Sequence, residues 1–194
     1  DLALSDYSRA VDLAPNDIDG YSNRANVLRQ LEELDGALVD YDRVLSLDPA
    51  DASTYASRGR IYAEQGDYAK AISDYALALE LEPGSIGTML NQANALHALG
   101  EYEQAIAQYS SVVAQDATNV EAYHGRGTVY QNLGDLDSAI ADFDKAIELD
   151  PSSSIVYTSR ARTYEDQGSH ASAIADFTTV IEASPGESAN YLNR

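Results

Sequence analysis

Residues 52–85 read ASTYASRGRIYAEQGDYAKAISDYALALELEPGS, and most of the chain is a variation on this stretch. Tyr55, Gly59 and Tyr62 fall at i, i+4 and i+7, one stripe of a helix. Gly66 stands where that helix should stop, as a left-handed C-terminal glycine would. A second stripe follows in Tyr68, Ala71, Ile72, Tyr75, Ala78 and Leu79. Pro83 ends it, because proline cannot continue a helix. The stretch therefore predicts two helices joined by a tight turn.

Outward from it, the prolines Pro15, Pro49, Pro83, Pro151 and Pro185 stand 34 residues apart, or 68 where Ala117 takes the middle place. A fixed period in this range marks a stacked array. The units are 18–51, 52–85, 86–119, 120–153 and 154–187, numbered here as repeats 1 to 5. Residues 1–17 form the second helix of an earlier, partial repeat, and 188–194 begin a sixth. Gly100, Gly134 and Gly168 share the place of Gly66, and only Glu32 departs. Asp17, Asp51, Ser85, Asn119 and Ser153 precede the successive first helices, and all are good N-cap residues.

The chain has 194 residues, 32 of them acidic and 12 basic, for a net charge of −20. Such a field repels phosphate backbones, which argues against a nucleic-acid partner. The bulk of the acid is expected on a solvated outer face. Aspartate outnumbers glutamate 20 to 12 and only Lys70 and Lys145 are lysines, a balance expected of a salt-adapted or lysine-poor proteome. Cysteine is absent, which excludes disulfides, thiolate nucleophiles and zinc–thiolate sites. No apolar run approaches the roughly 18–20 residues that span a bilayer, so no membrane insertion is expected. A soluble setting is expected, with the cytoplasm slightly favoured. With no initiator Met, the chain reads as a piece of a longer protein.

Small residues recur where paired helices must approach: Ala25, Gly59, Ala93, Gly127 and Ala161 on the first helix, and Ala37, Ala71, Ala105, Ala139 and Ala173 on the second. The aromatics keep register too. Tyr21, Tyr55, Tyr123, Tyr157 and Tyr191 share one place, Tyr62, Tyr130 and Tyr164 another, and Tyr68 and Tyr102 a third. Tyr7, Tyr41, Tyr75, Tyr109, Phe143 and Phe177 share a fourth. All are expected in helix packing, with His170 replacing a core aromatic. Repeat 4 shows the whole pattern as Tyr123, Arg126-Gly127, Tyr130, Ala139, Phe143 and Pro151. In these positions the chain resembles the tetratricopeptide repeat (TPR) family, departing by tyrosine or methionine for Trp and by arginine or glutamine for Leu. The resemblance implies an all-α fold, an α-solenoid wound as a right-handed superhelix of 34-residue helix-turn-helix repeats. It also implies a protein-interaction scaffold.

Arg24, Arg58, Arg126 and Arg160 hold the seventh place of their repeats, and Asp40, Asp74, Asp142 and Asp176 stand 16 residues later. Repeat 3 changes both partners, to Gln92 and Gln108. A joint change from a charged to a neutral hydrogen-bonding pair predicts contact between the two helices of a hairpin. The rival geometry pairs each arginine with the corresponding aspartate of the preceding repeat. Four copies suit a structural pair and not a catalytic site.

By family resemblance the first helices line a concave groove and display Asn23, Asn26, Arg29, Arg60, Asn91, Asn94, His97, His124, Thr128, Gln131 and Arg162. The acids on that face are Asp19, Glu64, Glu121, Glu165 and Asp166, so its net charge is −2. An amide-rich trough with arginine forks for carboxylates suits a polypeptide ligand. The chaperone-adaptor subtype of the family grips a terminal carboxylate with lysine, arginine and asparagine. The matching places here hold Ser22, Asn26, Ser57, Gly87 and Asn91, so that function is rejected. Another subtype, found in glycosyltransferase arms, carries an asparagine ladder. Asn23, Asn91 and Asn193 match it while Ser57, Gly125 and Ser159 break it.

His97 and His124 are placed too far apart in register to share a metal. No phosphate loop, nucleophile elbow or isolated carboxylate pair is present, so no catalytic residue, metal or cofactor is assigned. The expected partner is a protein or peptide held in the groove. The alternatives are a self-assembling array joined head to tail through its open ends, or a regulatory arm of a larger enzyme. Far-ultraviolet circular dichroism should show helix throughout; substantial strand content would end this reading.

Overall fold

The computed structural model describes residues 2–183. Among these residues are eleven α-helices and no strand. They are α1 (Leu2–Leu13), α2 (Ile18–Gln30), α3 (Leu34–Leu47), α4 (Ala52–Glu64), α5 (Tyr68–Leu81) and α6 (Ile86–Leu99). Then follow α7 (Tyr102–Gln115), α8 (Val120–Leu133), α9 (Leu136–Leu149), α10 (Ser154–Asp166) and α11 (His170–Ala183). Pro185, Tyr191, Asn193 and the start of a sixth repeat lie outside the described residues.

The chain forms two compact units, Asp1–Leu99 and Gly100–Arg194. Within the first, each of α1 to α6 packs on the next, and α4 also touches α6. Within the second, α7 to α11 pack in the same serial way, and α8 touches α10. Cores form around each hairpin: Ala25, Leu28, Ala37 and Tyr41 with Ile61 in one, and Ala139, Phe143 and Ala146 with Val156 in another. The second-helix aromatics Tyr41, Tyr75, Tyr109 and Phe143 are almost wholly buried. Gly127 marks a close approach of two paired helices, since a Cβ there would stand 2.7 Å from the Phe143 ring.

The helix stops follow local chemistry. Gly66, Gly100, Gly134 and Gly168 all adopt left-handed backbone, with φ of 78 to 88°. Glu32, the residue that departs in sequence, adopts it as well, at φ 62°. The turn demands this geometry whatever the residue. There the Glu32 amide donates to Arg29 O and the Glu33 amide to Leu28 O. The same pair recurs as Gly66 to Ala63 O and Asp67 to Tyr62 O, which closes the last carbonyls of the helix. At the second-helix stops, Asp48, Asp116 and Asp150 turn extended, so Asp116 breaks α7 without a proline after it. Its carboxylate accepts from the Thr118 amide and hydroxyl.

Two expectations need correcting. Asp51 and Asn119 cap their helices by accepting from the amides of Thr54 and Ala122, whereas Asp17 and Ser153 hold the cap position without a side-chain bond. His170 is exposed at the start of α11, not packed in a core. An imidazole is more polar than a phenol ring and sits readily in water at a helix start.

A non-glycine residue held left-handed costs about 1–2 kcal/mol. Glu32→Gly should therefore raise stability by about 1 kcal/mol, read as a higher urea midpoint at an unchanged slope. No gain would mean that the Glu32 side chain offsets its own strain.

Candidate functional site

The repeat arginines and aspartates meet inside the hairpins. Arg24 donates through Nε and Nη2 to the two carboxylate oxygens of Asp40, at 2.7 and 2.6 Å. Arg58 holds Asp74 in the same fork at 2.7 Å in both arms. Arg126 with Asp142 and Arg160 with Asp176 repeat it at 2.7–2.8 Å. The aspartates are buried, with side chains 2 to 9% exposed. These hydrogen bonds hold each arginine above its ordinary pKa against the opposing pull of burial.

The remaining Nη1 reaches back to the preceding second helix. Arg58 Nη1 donates to Asp42, Arg126 Nη1 to Ser110 and Arg160 Nη1 to Asp144. The contact within the hairpin is the one made; the rival, with the paired aspartate of the preceding repeat, is not, since the backward arm ends on Asp42, Ser110 and Asp144 instead. Each guanidinium also lies over a ring on its own helix, 5.5–5.7 Å from the centroids of Tyr21, Tyr55, Tyr123 and Tyr157. These four tyrosines are half-buried and support a cation, and Tyr123 also packs against the core of Ala139, Phe143 and Ala146. In repeat 3 the ring, arginine and aspartate give way together to Met89, Gln92 and Gln108. Gln92 donates to Ile72 O of the preceding second helix, keeping the backward arm. Gln108 is half-buried on α7, in the other compact unit.

The residues assigned to the groove fall on the first helices α2, α4, α6, α8 and α10, and all are exposed or half-buried. Several are engaged with one another. In the first compact unit, Tyr41 Oη donates to Asn26 at 2.8 Å. Arg29 approaches Glu64 at 3.7 Å, while its Nε is buried without a partner. Arg60, Glu64, Asn91 and Asn94 border one recess of about 360 Å³ between α4 and α6, floored by Tyr68 and Tyr75. Burial pushes the Tyr75 phenol up to about 12. Asn23 is exposed on α2, and His97 is half-buried on α6.

In the second unit, His124 Nε2 lies 3.0 Å from Ser159 Oγ, and its ring stands 5.8 Å from Phe143. Thr128 donates to His124 O, and Gln131 to Asp166 at 3.2 Å. Gly125 breaks the asparagine ladder for a steric reason, since a Cβ there would meet the Tyr109 ring at 2.5 Å. Arg162 is exposed. Sequence reasoning missed the Tyr41–Asn26 and His124–Ser159 bonds because each joins places with no shared register. Among the described residues, no group of three or more His, Asp or Glu side chains is arranged to hold a metal ion. No helix there is long and apolar enough to cross a membrane.

Two outcomes follow from this geometry. Asp74→Ala strands a half-buried guanidinium and should cost about 3–5 kcal/mol, clearly more than Asp67→Ala at the α5 start. Converting Arg58 and Asp74 together to glutamine should recover part of the loss; additive effects in the double-mutant cycle would mean the pair is uncoupled. Burial lowers the pKa of both His97 and His124 below 6.5. The folded chain thus favours neutral imidazole, so this stabilisation is complete above about pH 6.5 and is lost as pH falls. The melting temperature should fall less between pH 6.5 and 5 in His124→Asn than in the parent, and parallel curves would remove His124 from the account.

Comparison with known proteins agrees with these features. TPR repeat family models match residues 25–66 and 93–134, and two tetratricopeptide repeat models match 52–85 with 120–153 and 143–175. No curated protein matches the chain. Among solved structures, MamA is 26% identical at a TM-score of 0.80, covering 87% of this chain and 92% of that one. A MamA from Desulfovibrio magneticus RS-1 is 22% identical at 0.83, covering 88% and 97%. YrrB, described as a TPR protein with an unusual peptide-binding site, is 24% identical at 0.77 and covers 96% of each chain. Paired helices, left-handed stops, close-packed small residues and these matches together place the chain in the tetratricopeptide repeat family.

Proposed function

We propose that this chain holds extended peptide or protein segments along the face formed by its first helices. The observation that carries the reading is the recess between α4 and α6. Arg60, Glu64, Asn91 and Asn94, all assigned to that face from sequence, surround one concavity of about 360 Å³. Ligand sites are concave, with a few convergent polar groups fixing orientation. Amides beside a guanidinium can pair with the backbone of an extended segment, which has its own peptide groups free. The chaperone-adaptor function is set aside, because its places hold no lysine and Asn26 is tied to Tyr41.

A second reading is self-association through the chain's two ends. Leu2 is 83% exposed on α1 and Ile174 is 49% exposed on α11, while Ile72 and Ile140, in the same repeat place as Ile174, are half-buried. A head-to-tail contact is heterologous and need not close. At a charge of −20 such association should rise with ionic strength, since salt screens the repulsion. Sedimentation that shows a monomer at every salt and protein concentration would remove it.

Peptides selected from a displayed library of random dodecapeptides supply the probe for the leading reading. Arg60→Ala with Asn94→Ala should weaken the selected peptides at least tenfold at an unchanged melting temperature. Binding that survives this pair but is lost on replacing Glu80, an exposed acid of α5, would move the site to the second helices.

A further inference from the structure

The recess between α4 and α6 owes its volume to three departures from the repeat. At the tenth place the repeats carry Val27, Ile61, Ala95, Val129 and Thr163. At the twelfth they carry Arg29, Ala63, His97, Gln131 and Glu165, and at the thirteenth Gln30, Glu64, Ala98, Asn132 and Asp166. Ala63, Ala95 and Ala98 are thus the smallest residues at their places, and all three line this one recess. Only the tenth place is mostly buried, so Ala95 gives up packing that a Val or Ile supplies there. The twelfth and thirteenth places are half-buried or exposed, and Ala63 and Ala98 leave open the space that polar side chains cover in other repeats, so the three together open one recess.

The lining says what enters. The floor is aromatic, from Tyr68 and Tyr75, and the walls are alanine. On the rim stand one cation, Arg60, and one anion, Glu64, a turn apart on α4. Both act on the Tyr75 phenol, in opposite directions. An acidic side chain would meet Glu64, a basic one Arg60, so neither charge is preferred. A neutral ring can lie edge-to-face on the tyrosines and offer its own face to the guanidinium.

We infer that this recess is a side-chain pocket for one aromatic residue of an extended polypeptide partner, seated between Ala63, Ala95 and Ala98 on the Tyr68 and Tyr75 rings. The inference rests on the proposed groove reading and adds to it the residue class that anchors the segment. Arg60, Asn91 and Asn94 then face the partner's backbone on either side of the anchor.

The test fills the pocket with residues that repeat 4 already carries. Ala95→Val and Ala98→Asn copy Val129 and Asn132, so the variant has a precedent for packing within the chain. The probe is again a displayed library of random dodecapeptides, selected in parallel on the parent and on the filled variant. The parent should enrich peptides sharing an aromatic position, and the best of them should bind the filled variant at least tenfold more weakly, at an equal or higher melting temperature. Enrichment without an aromatic preference, or affinity unchanged by filling, would overturn the pocket while leaving the groove standing. Binding indifferent to both the filling and the Arg60→Ala, Asn94→Ala pair would overturn groove and pocket together.

Discussion

A guanidinium shared among three helices is the constraint on which the rest of this structure depends. Each repeat arginine leaves its first helix and forks onto a buried aspartate of its partner helix, and Arg58, Arg126 and Arg160 send a third nitrogen back to the previous second helix. Burying a carboxylate is costly unless its lone pairs are satisfied. The fork satisfies two oxygens at once, and the tyrosine beneath supports the cation. The group therefore fixes the spacing within a hairpin and between hairpins with one set of atoms. Apolar packing alone, being non-directional, would let the helices slide.

The pair within the hairpin was legible in sequence because repeat 3 changes Arg and Asp together, to Gln92 and Gln108. The backward arm was not. Its acceptors occupy an outward place whose residues are Asp42, Ala76, Ser110, Asp144 and Thr178, with no single chemistry to detect. The helix stops were legible as glycine, yet Glu32 shows that the backbone need outranks the residue preference. Tyr21, Tyr55, Tyr123 and Tyr157 read as core because periodicity reports which face a residue occupies. It does not report whether a cation lies on the ring.

The proposed contact face was legible in part for the same reason. First-helix places identify which side chains share a face, but not which of them bond to each other. Asn26 is engaged by a core phenol within its own hairpin and His124 by Ser159 of the next, so two apparent contact residues help to hold the helices together. The recess at Ala63, Ala95 and Ala98 was hidden, because each alanine is unremarkable alone and only the fold brings the three together.

The two-directional reach of the arginine also bears on how such an array can lengthen or shorten over generations. Arg58 finds acceptors 16 residues behind and 16 ahead, at Asp42 and Asp74. Duplicating or excising one whole 34-residue module keeps every forward link intact and leaves each backward link only to the choice of residue at one tolerant place. Adding or removing a single residue within a first helix would instead rotate one part of it against the other by about 100°, at 3.6 residues per turn, and set the arginine against the packing face beyond the change. Copy number is therefore an easy variable for this architecture, and module length a hard one.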